Sequence, residues 1–196
     1  MPDQPLPIHE HALESLRVIR ETMERAGSFT SIPGWGGLAI GFTALGAGYF
    51  AQRVVFDPHG WLRVWLAEAV VAAVIAAVTM AVKWRRTETP FMSGVARRFF
   101  VSYFAPLIAG AVLTFTLAHR GSFDPLPAVW LLLYGSAFVS SGAFSIRVIP
   151  AMGVCFMLLG VLAALVRLPV GNLVLGAGFG GLHIIFGFII ARRYGG

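Results

Sequence analysis

Charge is scarce in this 196-residue chain: Asp, Glu, Lys and Arg together make up 12% of the residues, against 57% hydrophobic. An ordinary water-soluble domain carries about a quarter of its residues as charges, so the balance excludes one. A mean hydropathy of +0.78 points the same way. Cysteine is nearly absent. The single Cys155 excludes an intrachain disulfide and a multi-cysteine metal site, and inside an apolar run it reads as a small buried hydrophobe. Of only 9 acidic residues, Asp3, Glu10, Glu14, Glu21 and Glu24 fall before residue 30. They interrupt any apolar h-region there, so a cleavable signal peptide is not expected. No Walker loop and no dinucleotide glycine fingerprint occurs. No catalytic, cofactor-binding or metal-ligating residue is assigned on these grounds, and no cofactor is expected.

What is present is a succession of apolar runs. A helix needs about 20 mostly apolar residues to cross roughly 30 Å of hydrocarbon. Six stretches approach this, at residues 34–52, 61–83, 99–119, 126–145, 148–166 and 171–191. The separators are loop-like: Asp57-Pro58-His59-Gly60, the polar run from Arg85 to Pro90, Gly121 to Pro125, and Leu168 to Gly171. Between the fourth and fifth runs only the region of Arg147 intervenes, which predicts a tight hairpin. The fold class expected is an all-α integral membrane protein, a six-helix bundle over residues 31–196 behind a cytoplasmic segment of residues 1–30.

Within that segment, Ala12, Leu16, Ile19 and Met23 recur at helical spacing between charged faces, which predicts an amphipathic helix over residues 8–26. Acids and bases are nearly balanced along it. It is therefore expected to dock on the bundle's own inner face or on a partner, since a lipid-binding helix would be richer in basic residues.

The net charge of +6 reads as membrane orientation, with no nucleic-acid partner expected. With the N-terminus inside, the inner segments carry Arg17, Arg20, Arg25, Lys83, Arg85, Arg86, Arg97, Arg98, Arg147, Arg192 and Arg193. The outer segments carry Arg53, Arg63, Arg120 and Arg167. This bias predicts both termini in the cytoplasm, in a bacterial-type inner membrane. Trp35, Trp61, Trp65, Trp84 and Trp130 fall near helix ends, where interfacial rings are expected.

Glycine numbers 23, much of it inside the runs. Gly37 with Gly41 and Gly176 with Gly180 match the small-xxx-small pattern, which lets backbones approach where lipid offers no hydrophobic drive. Gly135 with Gly142, and Gly153 with Gly160, are seven apart and so share a helix face. Packing inside the bundle is the first reading, and a homo-oligomer or a membrane-complex partner the second.

Two ionisable groups lie deep in the runs, and such groups are functional candidates by default. Glu68 reads either as a proton- or cation-binding carboxylate or as a structural group held by Thr114, Thr116, Tyr49, Gln52, Arg53 or Arg63. His183 falls near the depth of Tyr103, Ser140, Ser141 and Cys155, which suggests a polar cluster. No second imidazole lies at matching depth for a bis-His haem. Ser136, Ser140, Ser141 and Ser145 lack a partner base at a recognisable spacing, so a serine nucleophile is disfavoured.

The first functional expectation is accordingly a non-catalytic subunit or sensor in the lipid bilayer. The second is a small-solute or proton-coupled transporter acting through Glu68 or His183. An intramembrane enzyme or cofactor-binding protein comes third.

Overall fold

The computed structural model describes residues 15–17, 33–85 and 94–194. These form α1 (Gly34–Arg53), α2 (Pro58–Arg85), α3 (Gly94–His119), α4 (Leu126–Gly142) and α5 (Val148–Ala164). A last rod follows in three pieces: α6 (Leu168–Leu175), a π-helical segment (Gly176–Leu182) and α7 (His183–Tyr194). No strand occurs among the described residues. The amphipathic helix expected over residues 8–26 lies outside the described residues, except for the helical Ser15–Arg17.

Three rods, Pro58–Lys83, Gly94–His119 and Leu168–Tyr194, are long and apolar enough to cross a membrane. The expected spans 126–145 and 148–166 are shorter than anticipated, 17 residues each, because α4 ends at Gly142 and α5 at Ala164. At 1.5 Å per residue such a helix reaches about 25 Å. α1 has 20 residues, but Gly34, Gly36, Gly37, Gly41, Gly46 and Gly48 dilute its hydropathy. Large apolar side chains nevertheless cover the outside. Val70, Val74 and Val78 on α2, Val101, Ile108 and Phe115 on α3, and Val154, Leu158 and Val161 on α5 are all exposed. A water-soluble monomer does not present so much contiguous apolar surface, and lipid contact accounts for it.

The helix ends follow from local chemistry. Pro58 opens α2 and Pro127 and Pro169 fall in the first turns of α4 and α6, where the missing N–H has no helical partner to lose. α3 stops at Gly121, whose φ of 69° is in the left-handed region. There Gly121 N–H donates to Ala118 O (3.0 Å) and Ser122 N–H to Leu117 O (2.9 Å), the paired bonds of a Schellman stop. Asp124 Oδ1 then accepts the first N–H of α6, from Leu168, at 2.9 Å. The rings of His59 and Phe123 meet at 5.0 Å, so the α1–α2, α3–α4 and α5–α6 connections share one end of the bundle. At the other end Lys83 Nζ donates to Tyr194 O at 3.3 Å.

Glycine makes two of the helix seams. α1 runs against the last rod so closely that a Cβ on Gly187 would stand 2.7 Å from Leu38 N, and one on Gly41 would stand 2.8 Å from Gly180 O. Gly37 faces the Gly187 Cα at 3.2 Å, and Gly180 meets Leu45. Gly176 takes a different part: a Cβ there would touch nothing within 4 Å, although Gly48 packs toward its Cα. In the α4–α5 hairpin, Gly135 and Gly153 face each other, each with the other's carbonyl 2.6 Å from where its Cβ would be. Gly142 lies against Pro150 and Gly160 against Leu132. The two glycine pairs seven residues apart are thus the two sides of one antiparallel seam.

α3 packs along α4, and α2 along α1. Pro106 interrupts the ladder of α3, since it cannot donate to the Ser102 carbonyl one turn back. The Ser140 hydroxyl on α4, 3.0 Å from Ser102 O and 3.2 Å from its own Ala137 O, offers its one proton to that carbonyl at the shorter distance. In a bilayer, where water does not compensate a freed carbonyl, this cross-helix bond holds α3 to α4.

Candidate ligand-binding cleft

α2 and α3 lean on different neighbours, and between them runs a cleft of about 770 Å³. Its α2 wall is smooth, made by Ala69, Ala72, Ala73, Ala76 and Ala77, and its α3 wall is bulky, with Phe99, Phe100, Tyr103, Phe104 and Leu107. The floor comes from α1, α4 and the last rod, including Ile40, Tyr134, Phe179 and His183. Ala69, Ala73, Ala77 and Phe104 are exposed, so the cleft opens on the lipid-facing side.

Glu68 lies on the cleft wall and is 9% exposed. Its partner is Thr43, whose hydroxyl stands 2.8 Å from Oε1 and 3.0 Å from the Ile40 carbonyl. The partners expected from the sequence are committed elsewhere. Thr114 donates to Gly110 O (2.7 Å) and accepts from Trp130 Nε1 (2.8 Å), while Thr116 donates to Val112 O (2.9 Å). Gln52 accepts from Asn172, Arg53 donates to Tyr49, and Arg63 pairs loosely with Asp57 at 3.8 Å. Thr43 and Glu68 are equally far in sequence from the turn joining α1 to α2. An antiparallel hairpin sets such residues opposite each other, a signal that was available before any coordinates.

His183 is 4% exposed and directs both ring nitrogens to fixed partners. Nδ1 lies 2.9 Å from the Phe179 carbonyl, and Nε2 lies 2.9 Å from the Tyr134 hydroxyl. A carbonyl only accepts, so Nδ1 carries the proton, and in the neutral ring Nε2 accepts from Tyr134. The expected cluster with Ser140, Ser141 and Cys155 does not form around His183. Ser141 turns back to Ala137 O (2.7 Å), Ser140 serves Ser102 O, and Cys155 is half-buried on α5. Of that set only Tyr103 lies on the cleft, its ring edge-on to Tyr134 at 6.3 Å. Tyr134 is the centre instead, with Phe138 at 4.8 Å, Phe156 at 4.9 Å, Phe179 at 5.0 Å and His183 at 5.6 Å. Edge-to-face contacts of this kind add to burial and fix ring orientation.

A polar knot around Asn172, joined to the cleft through Trp65 and Trp130, was missed by sequence reasoning. Asn172 is 1% exposed, and its Oδ1 accepts from both Trp61 Nε1 and Trp65 Nε1 at 2.9 Å. Its Nδ2 donates to Gly48 O at 3.1 Å and to Gln52 Oε1 at 2.6 Å. Trp61 also stacks on Trp130, centroids 5.4 Å apart and planes 6° from parallel. Trp61 and Trp65 are thus buried internal struts, whereas Trp35 is exposed as an interfacial ring would be. The spacing of Trp61 and Trp65 at i,i+4 was the available signal, since it puts two indole N–H groups on one helix face.

Among the described residues no group of three or more His, Cys, Asp or Glu side chains could hold a metal ion. No protein-family model matches the chain, and no curated protein or solved structure matches it either.

Proposed function

We propose that this is a non-catalytic membrane protein that binds a lipid-soluble ligand of small-molecule size in the cleft between α2 and α3, as a receptor or carrier subunit. The cleft itself supports this reading most: about 770 Å³ falls within the range of small-molecule sites, which are mostly apolar with a few placed polar groups. A hydrated solute would find alanine and phenylalanine along most of the wall, with Glu68, Thr114, Tyr103 and the hydrogen-bonded Tyr134–His183 pair as its few polar points. The competing reading, small-solute or proton-coupled transport through Glu68 or His183, has less support: both His183 ring nitrogens are already engaged, and the wall around Glu68 is apolar.

The same reading places six crossings in the bilayer. The short α4 and α5 are accommodated by local thinning, which costs a fraction of a kcal/mol per Å. With both termini in the cytoplasm, Asp57 and Asp124 face outward. Labelling from outside is expected to reach cysteines placed at Asp57 and Asp124 and to miss those at Thr87 and Gly195.

Ligand binding is tested by native mass spectrometry of the detergent-purified protein. A lipophile of defined mass is expected to co-purify or be taken up from added membrane lipid extract, and Ala73→Trp, which fills the smooth wall, is expected to abolish it. Equal retention by Ala73→Trp would remove the cleft as the site.

A further inference from the structure

Among the described residues, the cleft lining holds one carboxylate, Glu68, and no Lys or Arg. Glu68 receives a hydrogen bond from Thr43 at Oε1, whereas a carboxylate offers about four acceptor positions over its two oxygens. Among the described residues no buried side-chain nitrogen or oxygen lacks a partner. Oε2, which has none, is therefore not sealed away; it opens on the cleft whose wall Glu68 forms. The basic groups nearest in sequence are engaged toward the bundle ends: Arg63 pairs with Asp57, Arg53 donates to Tyr49, and Lys83 donates to Tyr194 O. His183, also on the cleft, has its nitrogens taken by Phe179 and Tyr134.

From this we infer that the ligand of the cleft is a lipophilic organic cation whose positive charge is held by Glu68 and whose apolar body lies along the alanine wall of α2. The inference rests on the cleft being a ligand site and specifies the ligand's charge. A single carboxylate in an apolar membrane site is costly alone, and a cation entering beside it offsets that cost. Trp65, Tyr103, Trp130, Tyr134 and Phe179 line the same space, and aromatic rings attract a diffuse organic cation through their negative faces. A metal ion finds no such match, since among the described residues no second carboxylate, cysteine or free imidazole joins Glu68. An anion would meet the carboxylate with like charge.

Tetraphenylphosphonium and tetraphenylborate share one shape and carry opposite charges, so equilibrium dialysis of both against the purified protein, corrected for protein-free micelles, isolates the charge. The phosphonium is expected to bind and the borate not. Glu68→Gln, which keeps the size and the Thr43 contact, is expected to weaken phosphonium binding by about tenfold or more. Gly46→Ala, outside the cleft lining and with nothing within 4 Å of the added Cβ, is expected to keep binding within about threefold, and a Glu68→Gln protein that unfolds at the parent's temperature shows that a disturbed fold is not the cause. Equal binding of the two ions, or unchanged phosphonium binding in a folded Glu68→Gln protein, would overturn the charge assignment. It would leave intact a cleft that still takes neutral lipophiles lost in Ala73→Trp. No binding of the phosphonium to the unaltered protein would overturn it too. A cleft that also fails with neutral lipophiles would end the ligand-site reading as well.

Discussion

The hydroxyl of Ser140 on α4 reaches, at 3.0 Å, the Ser102 carbonyl on α3 that Pro106 leaves without its helical donor. Ser140→Ala is therefore expected to destabilise the bundle by about 0.5–1 kcal/mol, the usual size of a side-chain hydrogen bond between membrane helices. In a Pro106→Ala background the ladder is restored and the same substitution should cost less. Thermal unfolding of the four proteins in one detergent gives the coupling directly. Additive effects would mean that the bond does not replace the missing ladder donor.

Asn172 satisfies two indoles with one oxygen. Asn172→Leu leaves the buried Trp61 and Trp65 N–H groups without an acceptor, at about 1–3 kcal/mol for each unsatisfied donor. A loss of roughly 3 kcal/mol or more is expected, along with a change in tryptophan fluorescence. Trp61→Phe or Trp65→Phe alone should cost less, since each leaves Asn172 its other indole. A Leu variant as stable as the parent would show that the knot is not a structural tie.

The glycines separate by position. Gly187→Ala and Gly153→Ala put a methyl within 3 Å of facing backbone and are expected to lower thermal stability severely, since neither seam yields without moving a helix. Gly46→Ala and Gly176→Ala, where a Cβ meets nothing within 4 Å, should be neutral or slightly stabilising. Similar stability for all four variants in the same detergent would show that the seams are looser than described.

Much of the backbone architecture was legible in the chain. The apolar runs lie on the helical rods to within a few residues, because Pro58, Gly121 and Pro169 punctuate them by mechanisms that act locally. Of the glycines singled out by spacing, Gly37, Gly41 and Gly180 lie at close crossings and Gly176 has open space; that Gly135 would meet Gly153 was not legible, since pairing between helices is a tertiary property. The short span of α4 was not legible: residues 143–145 are apolar or small enough to continue a helix, and the chain turns there instead. Glu68 and His183 stood out because burying an ionisable group is costly wherever it occurs. Their partners were harder to see: Thr43 was signalled only by lying as far from the α1–α2 turn as Glu68 does, and Tyr134 acquires meaning only when α4 faces the last rod. Asn172 was missed for the opposite reason, lying in a Leu-Pro-Val-Gly-Asn stretch that reads as the end of a loop. Its neighbour Gly171 packs on Pro127, which draws that stretch into the bundle.

A crystallographic map of the full chain grown from a lipid phase separates a lipid-open ligand site between α2 and α3 from a closed bundle. Non-protein density is expected along Ala69, Ala73 and Ala77 with one end within contact of Glu68. Closure of α2 against α3 over an empty wall, or a helix of a second copy filling the same space, would contradict it.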